Sequence, residues 1–285
     1  SLAIRILLLA LAYHAGAMLG LSVPYIGSNI TLFWPPSGIA LAALTLWGPT
    51  LWPGIFLGSF ITTLTIGELP IFAAFGISLG NTLAPLLGAF LLRKIVKFST
   101  QFSDKQNIIR FLIISAGITF LSASIGSLSL YLSKKILIDQ LLQAWIGWWL
   151  GDMIGILVFA PLFFFWKTQT LKNFLLSSNR KLELTLAISS CLGLSWIVFI
   201  ESSPINSVTS AIPFIVYPPL LWMGLRFNAM TVSIAVIIIS SLAAIGTSQG
   251  LGPFTKGNFY TDQFLLCAFI STTSLISFMM ISIQA

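Results

Sequence analysis

Charged side chains are scarce in this sequence, and acidic side chains are the scarcest. Among the 285 residues there are 14 Lys or Arg, seven Asp or Glu, and one His. Charged residues make up 7% of the chain and apolar residues 57%, whereas a soluble domain carries about 25% charged residues. So few charges cannot cover a water-facing surface of this size. We therefore predict that the chain is solvated by lipid.

Metal-binding and catalytic motifs are also missing. His14 is the single histidine and cannot build a metal site alone, so a hydrogen-bonded packing role is favoured over ligand binding or pH sensing. Cys191 and Cys267 lie in apolar segments without metal-type spacing and are interpreted as small buried hydrophobes. There is no HExxH, GxSxG or Cys–His pair. We expect no enzymatic activity, cofactor or metal in this chain.

The net charge of +7 does not indicate nucleic acid binding, because no basic run with interleaved aromatic residues is present. The basic residues instead separate long apolar stretches. If the N-terminus is cytoplasmic, eleven of the 14 basic residues fall on the inner side, and only Lys134, Lys135 and Lys256 fall on the outer side. This asymmetry fits the positive-inside rule. It predicts that both termini are cytoplasmic, so that anything attached after Ala285 lies in the cytoplasm.

Ten apolar segments predict an all-α fold, a polytopic transmembrane helical bundle of 8–10 transmembrane helices in a single membrane domain over residues 1–285. A helix needs about 20 residues to cross the hydrocarbon layer. The second and third segments are short and joined by Gly48-Pro49-Thr50, so they are either two spans or one re-entrant hairpin. The segments are 2–23, 35–48, 51–67, 70–92, 110–132, 140–166, 182–201, 209–225, 228–246 and 262–284.

A rigid corner opens the second segment at Trp34-Pro35-Pro36-Ser37-Gly38. Two prolines suit the first turn of a helix, where the missing N–H groups have no intrahelical partner. Trp34 is typical of an anchor at the membrane interface. The corner is either a simple helix start or the wall of an outward-facing binding pocket.

A polar amide lies within the fourth segment at Asn81, close to Pro85. Gly76 and Gly80 form a small-xxx-small face that lets a neighbouring helix approach closely. Asn81 then either bonds a carbonyl group that Pro85 leaves free, or lines a polar cavity.

The sixth segment carries the strongest functional candidate, Asp152. An ionisable group deep in a bilayer costs about 2.5–3.5 kcal/mol on insertion scales and is a functional hypothesis by default. Three tryptophans precede it by seven, four and three positions, which places all three toward its side of a helix; they are Trp145, Trp148 and Trp149. Glycines recur every four residues at Gly147, Gly151 and Gly155 and predict a tightly packed ridge. The alternative is that Asp152 lies near the membrane interface, or bonds internally to Asn81 or His14, and only fixes packing.

Five stretches in this order resemble the bacterial MASE family, the membrane-associated sensor domain of the first type. They are 34–38, 80–89, 148–152, 221–227 and 250–254, and the resemblance covers essentially the whole chain. It implies an N-terminal sensory module of eight to ten helices in the bacterial inner membrane. Such modules precede cytoplasmic histidine kinase, diguanylate cyclase or phosphodiesterase domains, and one sensor kinase of the family works with a transporter-like membrane partner. An output domain is thus expected after Ala285.

Three functions remain open from the sequence. The first is a sensor that binds a small ligand or a membrane partner in a pocket open to the outside or to lipid, with Asp152, Asn81 and the tryptophans as its site. The second is a small-molecule transporter or its substrate-binding subunit. The third is a structural module that forms a homodimer or docks a partner through its glycine ridges.

Overall fold

The computed structural model describes residues 1–23, 31, 33–67, 69–168, 181–201, 212–255 and 257–284. Within these residues the secondary structure is helical and contains no β-strand, which confirms the predicted fold class. Each predicted apolar segment contains a helix. The helices are α1 Leu2–Leu21, α2 Pro35–Trp47, α3 Trp52–Thr65, α4 Ile71–Phe90, α5 Lys105–Leu132, α6 Leu141–Thr168, α7 Lys181–Phe199, α8 Tyr217–Arg226, α9 Ala229–Ser248 and α10 Phe259–Gln284.

Seven helices of the described residues are long and apolar enough to cross a membrane, so the chain is a multi-pass membrane protein. The other three, α2, α3 and α8, have 13, 14 and 10 residues. At 1.5 Å per residue these three are shorter than the hydrocarbon layer of about 30 Å. Whether the chain crosses the membrane eight to ten times, as predicted, therefore depends on these three short helices.

Helices α2 and α3 both pack along α1 and run in opposite directions to each other. The start of α2 packs on the end of α1, where a Cβ on Gly20 would lie 2.9 Å from the Trp34 ring. The start of α3 packs on the beginning of α1, where a Cβ on Gly54 would lie 2.6 Å from the Ile6 carbonyl oxygen. The corner between them is at Gly48, beside the Arg93 guanidinium. The pair therefore runs along most of the length of α1.

The chain divides into two compact units, one of residues 1–98 and 109–160 and one of residues 99–108 and 161–285. In the first unit, α1 and α4 both pack against α2 and α3. Helix α5 lies antiparallel to α4, and the Gly76 and Gly80 face of α4 meets Ser129 and Ile125 of α5. This contact confirms the predicted small-residue face.

The second unit is organised around α9, which packs against α7, α8 and α10. Aromatic contacts fill its interior, including a stacked Phe102–Phe278 pair with ring centroids 4.6 Å apart. Cys191 and Cys267 are both buried free thiols, which confirms their interpretation as small buried hydrophobes. The functional candidates of the sequence lie outside this unit.

An exposed polar cluster joins α7 to α8 in the second unit. Arg226 Nε donates to Glu183 Oε1 at 2.8 Å, and the Trp222 indole N–H donates to the same oxygen at 3.1 Å. Exposed ion pairs are screened by water and contribute little. We expect Arg226→Gln to change the thermal midpoint of the purified protein only slightly, and by still less at 1 M salt, where the Debye length falls to about 3 Å. A large loss that persists at high salt would show that the pair fixes the packing of α7 on α8.

Candidate ligand site

Asp152 is almost completely buried in α6, with 2% of its surface exposed. The Ser37 hydroxyl donates to its Oδ1 at 2.6 Å, and the side chains of Ser122 and Trp148 lie near it. Ser37 reaches the acid because Pro35 and Pro36 start α2 immediately before it. The carboxylate is thus held by a neutral donor from α2, close to polar groups of α5 and α6.

Two glycines bring α2 and α6 close enough for this contact. A Cβ on Gly155 would overlap the Trp34 carbonyl oxygen, and a Cβ on Gly38 would overlap the Gly155 carbonyl oxygen. The Trp34 N–H donates to the Gly151 carbonyl at 3.2 Å. The glycine ridge of α6 therefore packs within the chain at Gly151 and Gly155, and these two positions are not available to a second copy.

Asn81 forms the second centre of the site, in α4. Its Nδ2 donates to Ser59 Oγ at 3.0 Å, and the Ser122 hydroxyl donates to its Oδ1 at 3.0 Å. Ser122 also lies near Asp152. A hydroxyl group has one hydrogen to donate, and in the structure Ser122 donates it to Asn81.

Tyr13 connects α1 to the same group of residues. It is 1% exposed, and its side chain lies near those of Ser59, Trp34 and Asn81. Each helix from α1 to α6 therefore contributes a side chain to one group of neighbouring polar residues, which we call the six-helix network. Its members are Tyr13, Trp34, Ser37, Ser59, Asn81, Ser122, Trp148 and Asp152.

A cavity of about 440 Å³ in the first unit ends on this network. Asn81, Trp148 and Asp152 line its buried end, together with Trp34. Lys135 and Gln140 line the cavity and are exposed, so they mark its mouth. The wall between is mainly aliphatic, with threonine hydroxyls from α3. A volume of this size suits a small organic molecule.

Four of the residues singled out in the sequence thus meet at the buried end of one cavity: Trp34, Asn81, Trp148 and Asp152. The three tryptophans of α6 do not stay together. The Trp145 and Trp149 rings stack with centroids 5.7 Å apart, and their indole N–H groups donate to Ser124 Oγ and the Ala116 carbonyl of α5. With 3.6 residues per turn, positions four and three before Asp152 lie on opposite flanks of it, so only Trp148 reaches the cavity.

The remaining predicted site residues, Pro35, Pro36 and His14, lie behind the residues that line the cavity. Pro35 and Pro36 are buried against α1, each 3.6 Å from the position that a Cβ on Gly16 would take. His14 Nδ1 lies 2.8 Å from Thr62 Oγ1, and Thr62 lines the cavity. This contact agrees with the favoured hydrogen-bonded role of His14. In the part of the chain that the structure describes, no group of three or more His, Cys, Asp or Glu is placed to hold a metal ion.

Sequence reasoning missed Tyr13, Ser59 and Ser122. Serine and threonine are frequent in these helices, and most of them bond the backbone carbonyl four residues earlier, as Ser78 and Thr82 do. Nothing in the local sequence separates Ser59 and Ser122 from that majority. Ser37 had a usable signal, since it belongs to the Trp-Pro-Pro-Ser-Gly corner.

Comparison with known proteins gives one result on the whole chain. The family model MASE1 matches residues 5–285. No curated protein and no solved structure shows a significant match.

Proposed function

Because the chain belongs to the MASE1 family of membrane-associated sensor domains, we propose that it detects a small ligand or a membrane partner at the cavity that ends on Asp152. The chain acts as one sensory domain over residues 1–285 of a bacterial receptor. It relays occupancy of the cavity to a cytoplasmic histidine kinase or cyclic-di-GMP output domain.

One observation carries this proposal: the cavity ends on the six-helix network. A ligand shifts a conformational equilibrium only if it binds the two conformations with different affinity. A molecule that competes for the hydrogen bond between Ser37 and Asp152 changes the contact between α2 and α6 within this network. The cavity is therefore placed where occupancy and helix packing are coupled.

Ser37 supplies a physical link within the network. When a ligand occupies Asp152, the Ser37 hydroxyl loses its hydrogen bond to the acid. The contact between α2 and α6 is then weakened. A rearrangement of packed helices of this kind is an established means of transmitting a signal across a protein.

The direction of signalling follows from the distribution of basic residues. Lys135, at the mouth of the cavity, is one of three basic residues on the predicted outer side. The cavity then opens outward in the bacterial inner membrane, and the C-terminus lies in the cytoplasm. A homodimer of such receptors forms through surfaces other than Gly151 and Gly155, because α2 covers these two glycines.

The proposal is tested in the receptor that contains this chain, in cells under growth conditions that switch its output. We expect Asp152→Asn to reduce the range of output at least about fivefold, because the amide keeps the shape of the side chain but removes its charge. Asp139→Asn is the matched control, since Asp139 is exposed just before α6. A full range of output from Asp152→Asn, at normal expression, would remove Asp152 from the sensory site.

Transport is the second candidate, because intramembrane acids at the end of a cavity also serve transporters. Proteoliposomes that contain this chain alone distinguish the two functions. A sensor gives no uptake of labelled sugars, amino acids or amines above empty liposomes, whereas a transporter gives saturable uptake that Asp152→Asn abolishes.

A further inference from the structure

We propose that the cavity binds the ammonium head of a small organic cation at Asp152, an assignment that rests on the proposed sensory function. The chemical class of the ligand follows from the charges, the hydrogen bonds and the shape of the cavity.

The charge at the buried end of the cavity favours a cationic ligand. Asp152 is the only acidic residue on the described part of the cavity wall. Its hydrogen-bond partner is Ser37, and no cationic side chain of the described residues pairs with it. Attraction between unit charges is far stronger in a low-dielectric interior than in water. A cation that reaches the buried end of the cavity supplies the counter-charge that this carboxylate lacks, and an anion is repelled there.

The mouth of the cavity does not oppose this charge preference. Lys135 is the one cationic residue on the described part of the wall, and it is exposed. Exposed charges are screened over about 8 Å at physiological ionic strength, whereas buried charges are screened much less. The field at the buried end is thus set by Asp152.

Hydrogen bonding limits the kind of cation. An ionised carboxylate offers about four acceptor sites, the Ser37 hydroxyl uses one of them, and Asp152 is the only carboxylate on the described part of the wall. A strongly hydrated metal ion needs several oxygen ligands at once. An ammonium head, and above all a methylated one, is bound through charge with few additional acceptors.

The side chains around Asp152 also suit an organic ammonium group. The indoles of Trp34 and Trp148 line the buried end, and aromatic side chains attract organic ammonium groups. Aliphatic side chains of Ile77, Leu130 and Ile136 continue the wall toward the mouth. The cavity of about 440 Å³ therefore accommodates a cationic head with a short, largely apolar tail.

The test uses two pairs of probes that differ in charge but not in shape. Choline is compared with 3,3-dimethylbutan-1-ol, and butylammonium with butan-1-ol, on the purified chain in lipid nanodiscs. Tryptophan fluorescence reports binding, because Trp34 and Trp148 line the site. We expect at least one ammonium probe to bind at least about tenfold more tightly than its neutral partner.

Variants assign this preference to the acid. Asp152→Asn is expected to remove the tenfold discrimination, Asp152→Glu to retain part of it, and the exposed-site control Asp139→Asn to leave it unchanged. Size-exclusion profiles establish that each variant is folded, and Asp152→Glu keeps the test valid if the amide variant is unstable.

Three results would overturn the ammonium assignment: equal binding of the neutral probes, no binding of either ammonium probe to the wild-type chain, or displacement of both by sodium chloride at equal concentration. The signalling experiment with Asp152→Asn uses none of these probes. If that variant alters output and no ammonium probe binds, the ligand class is wrong and the sensory function stands. If the probes bind and output ignores the variant, the cation site stands and the sensory function is wrong.

Discussion

Gly155→Ala will strongly lower the thermal midpoint of the protein. The added Cβ overlaps the carbonyl oxygen of Trp34 and lies 2.7 Å from its carbonyl carbon. Both groups belong to the backbone, so no side-chain rotation relieves the contact. Overpacking of a tight core typically costs about 1–3 kcal/mol and sometimes more, and we expect a loss at the upper end of that range. Fluorescence-detected size exclusion after heating measures it.

Gly117→Ala is the matched control for this substitution. Gly117 lies in α5, in the same unit, and a Cβ at this position meets nothing within 4 Å. Alanine has the higher helix propensity, so this variant is expected to be as stable as the wild-type chain or slightly more stable. Equal losses from Gly155→Ala and Gly117→Ala would contradict the close approach of α2 and α6.

Ala144→Trp will abolish ligand binding and switching without breaking the six-helix network. Ala144 is only 2% exposed but lines the cavity, so a large side chain there fills the space proposed for the ligand. We expect at least a hundredfold loss of affinity for the ammonium probes, and receptor output fixed at one level. Fluorescence titration and the cellular output assay measure these two effects.

Leu142→Trp is the control for the cavity-filling variant. Leu142 lies two residues earlier in α6, is 63% exposed, and does not line the cavity. The same indole added there is expected to leave binding and output unchanged. Ala144→Leu gives an intermediate loss and guards against misfolding of the tryptophan variant. Normal switching by folded Ala144→Trp would show that the cavity is not the ligand site.

The helices of this protein follow closely from its sequence, because long apolar segments in lipid have to satisfy their backbone groups internally. The first segment, predicted as 2–23, is the helix Leu2–Leu21. The eighth, predicted as 209–225, includes residues outside the described part and yields the short helix Tyr217–Arg226. Pro218 and Pro219 occupy its first turn, where proline is tolerated.

The candidate site could be predicted from the sequence where it contains a side chain that is energetically unfavourable in lipid. Asp152 and Asn81 stand out in apolar helices for that reason, and the structure brings both to one cavity. The contacts of Ser59 and Ser122 depend on helix register and packing, which a single sequence does not encode visibly. The orientation of Trp149 was not predictable either. It lies one residue after Trp148 in α6, and this offset directs its indole to α5 and not to the cavity.

The proposal that the cavity opens outward and ends on Asp152 is tested most directly by labelling Gln143→Cys in intact cells. Gln143 lines the cavity, and the native thiols of Cys191 and Cys267 are buried, so the wild-type chain gives the background. Two membrane-impermeant methanethiosulfonates are compared, one with a trimethylammonium group and one with a sulfonate. We predict that the cysteine is labelled from outside the cell and that the cationic reagent reacts faster than the anionic one. In the Asp152→Asn background, we predict that the ratio of these two rates falls about tenfold. Labelling only after the cells are permeabilised, or equal rates for both reagents with Asp152 intact, would contradict the account.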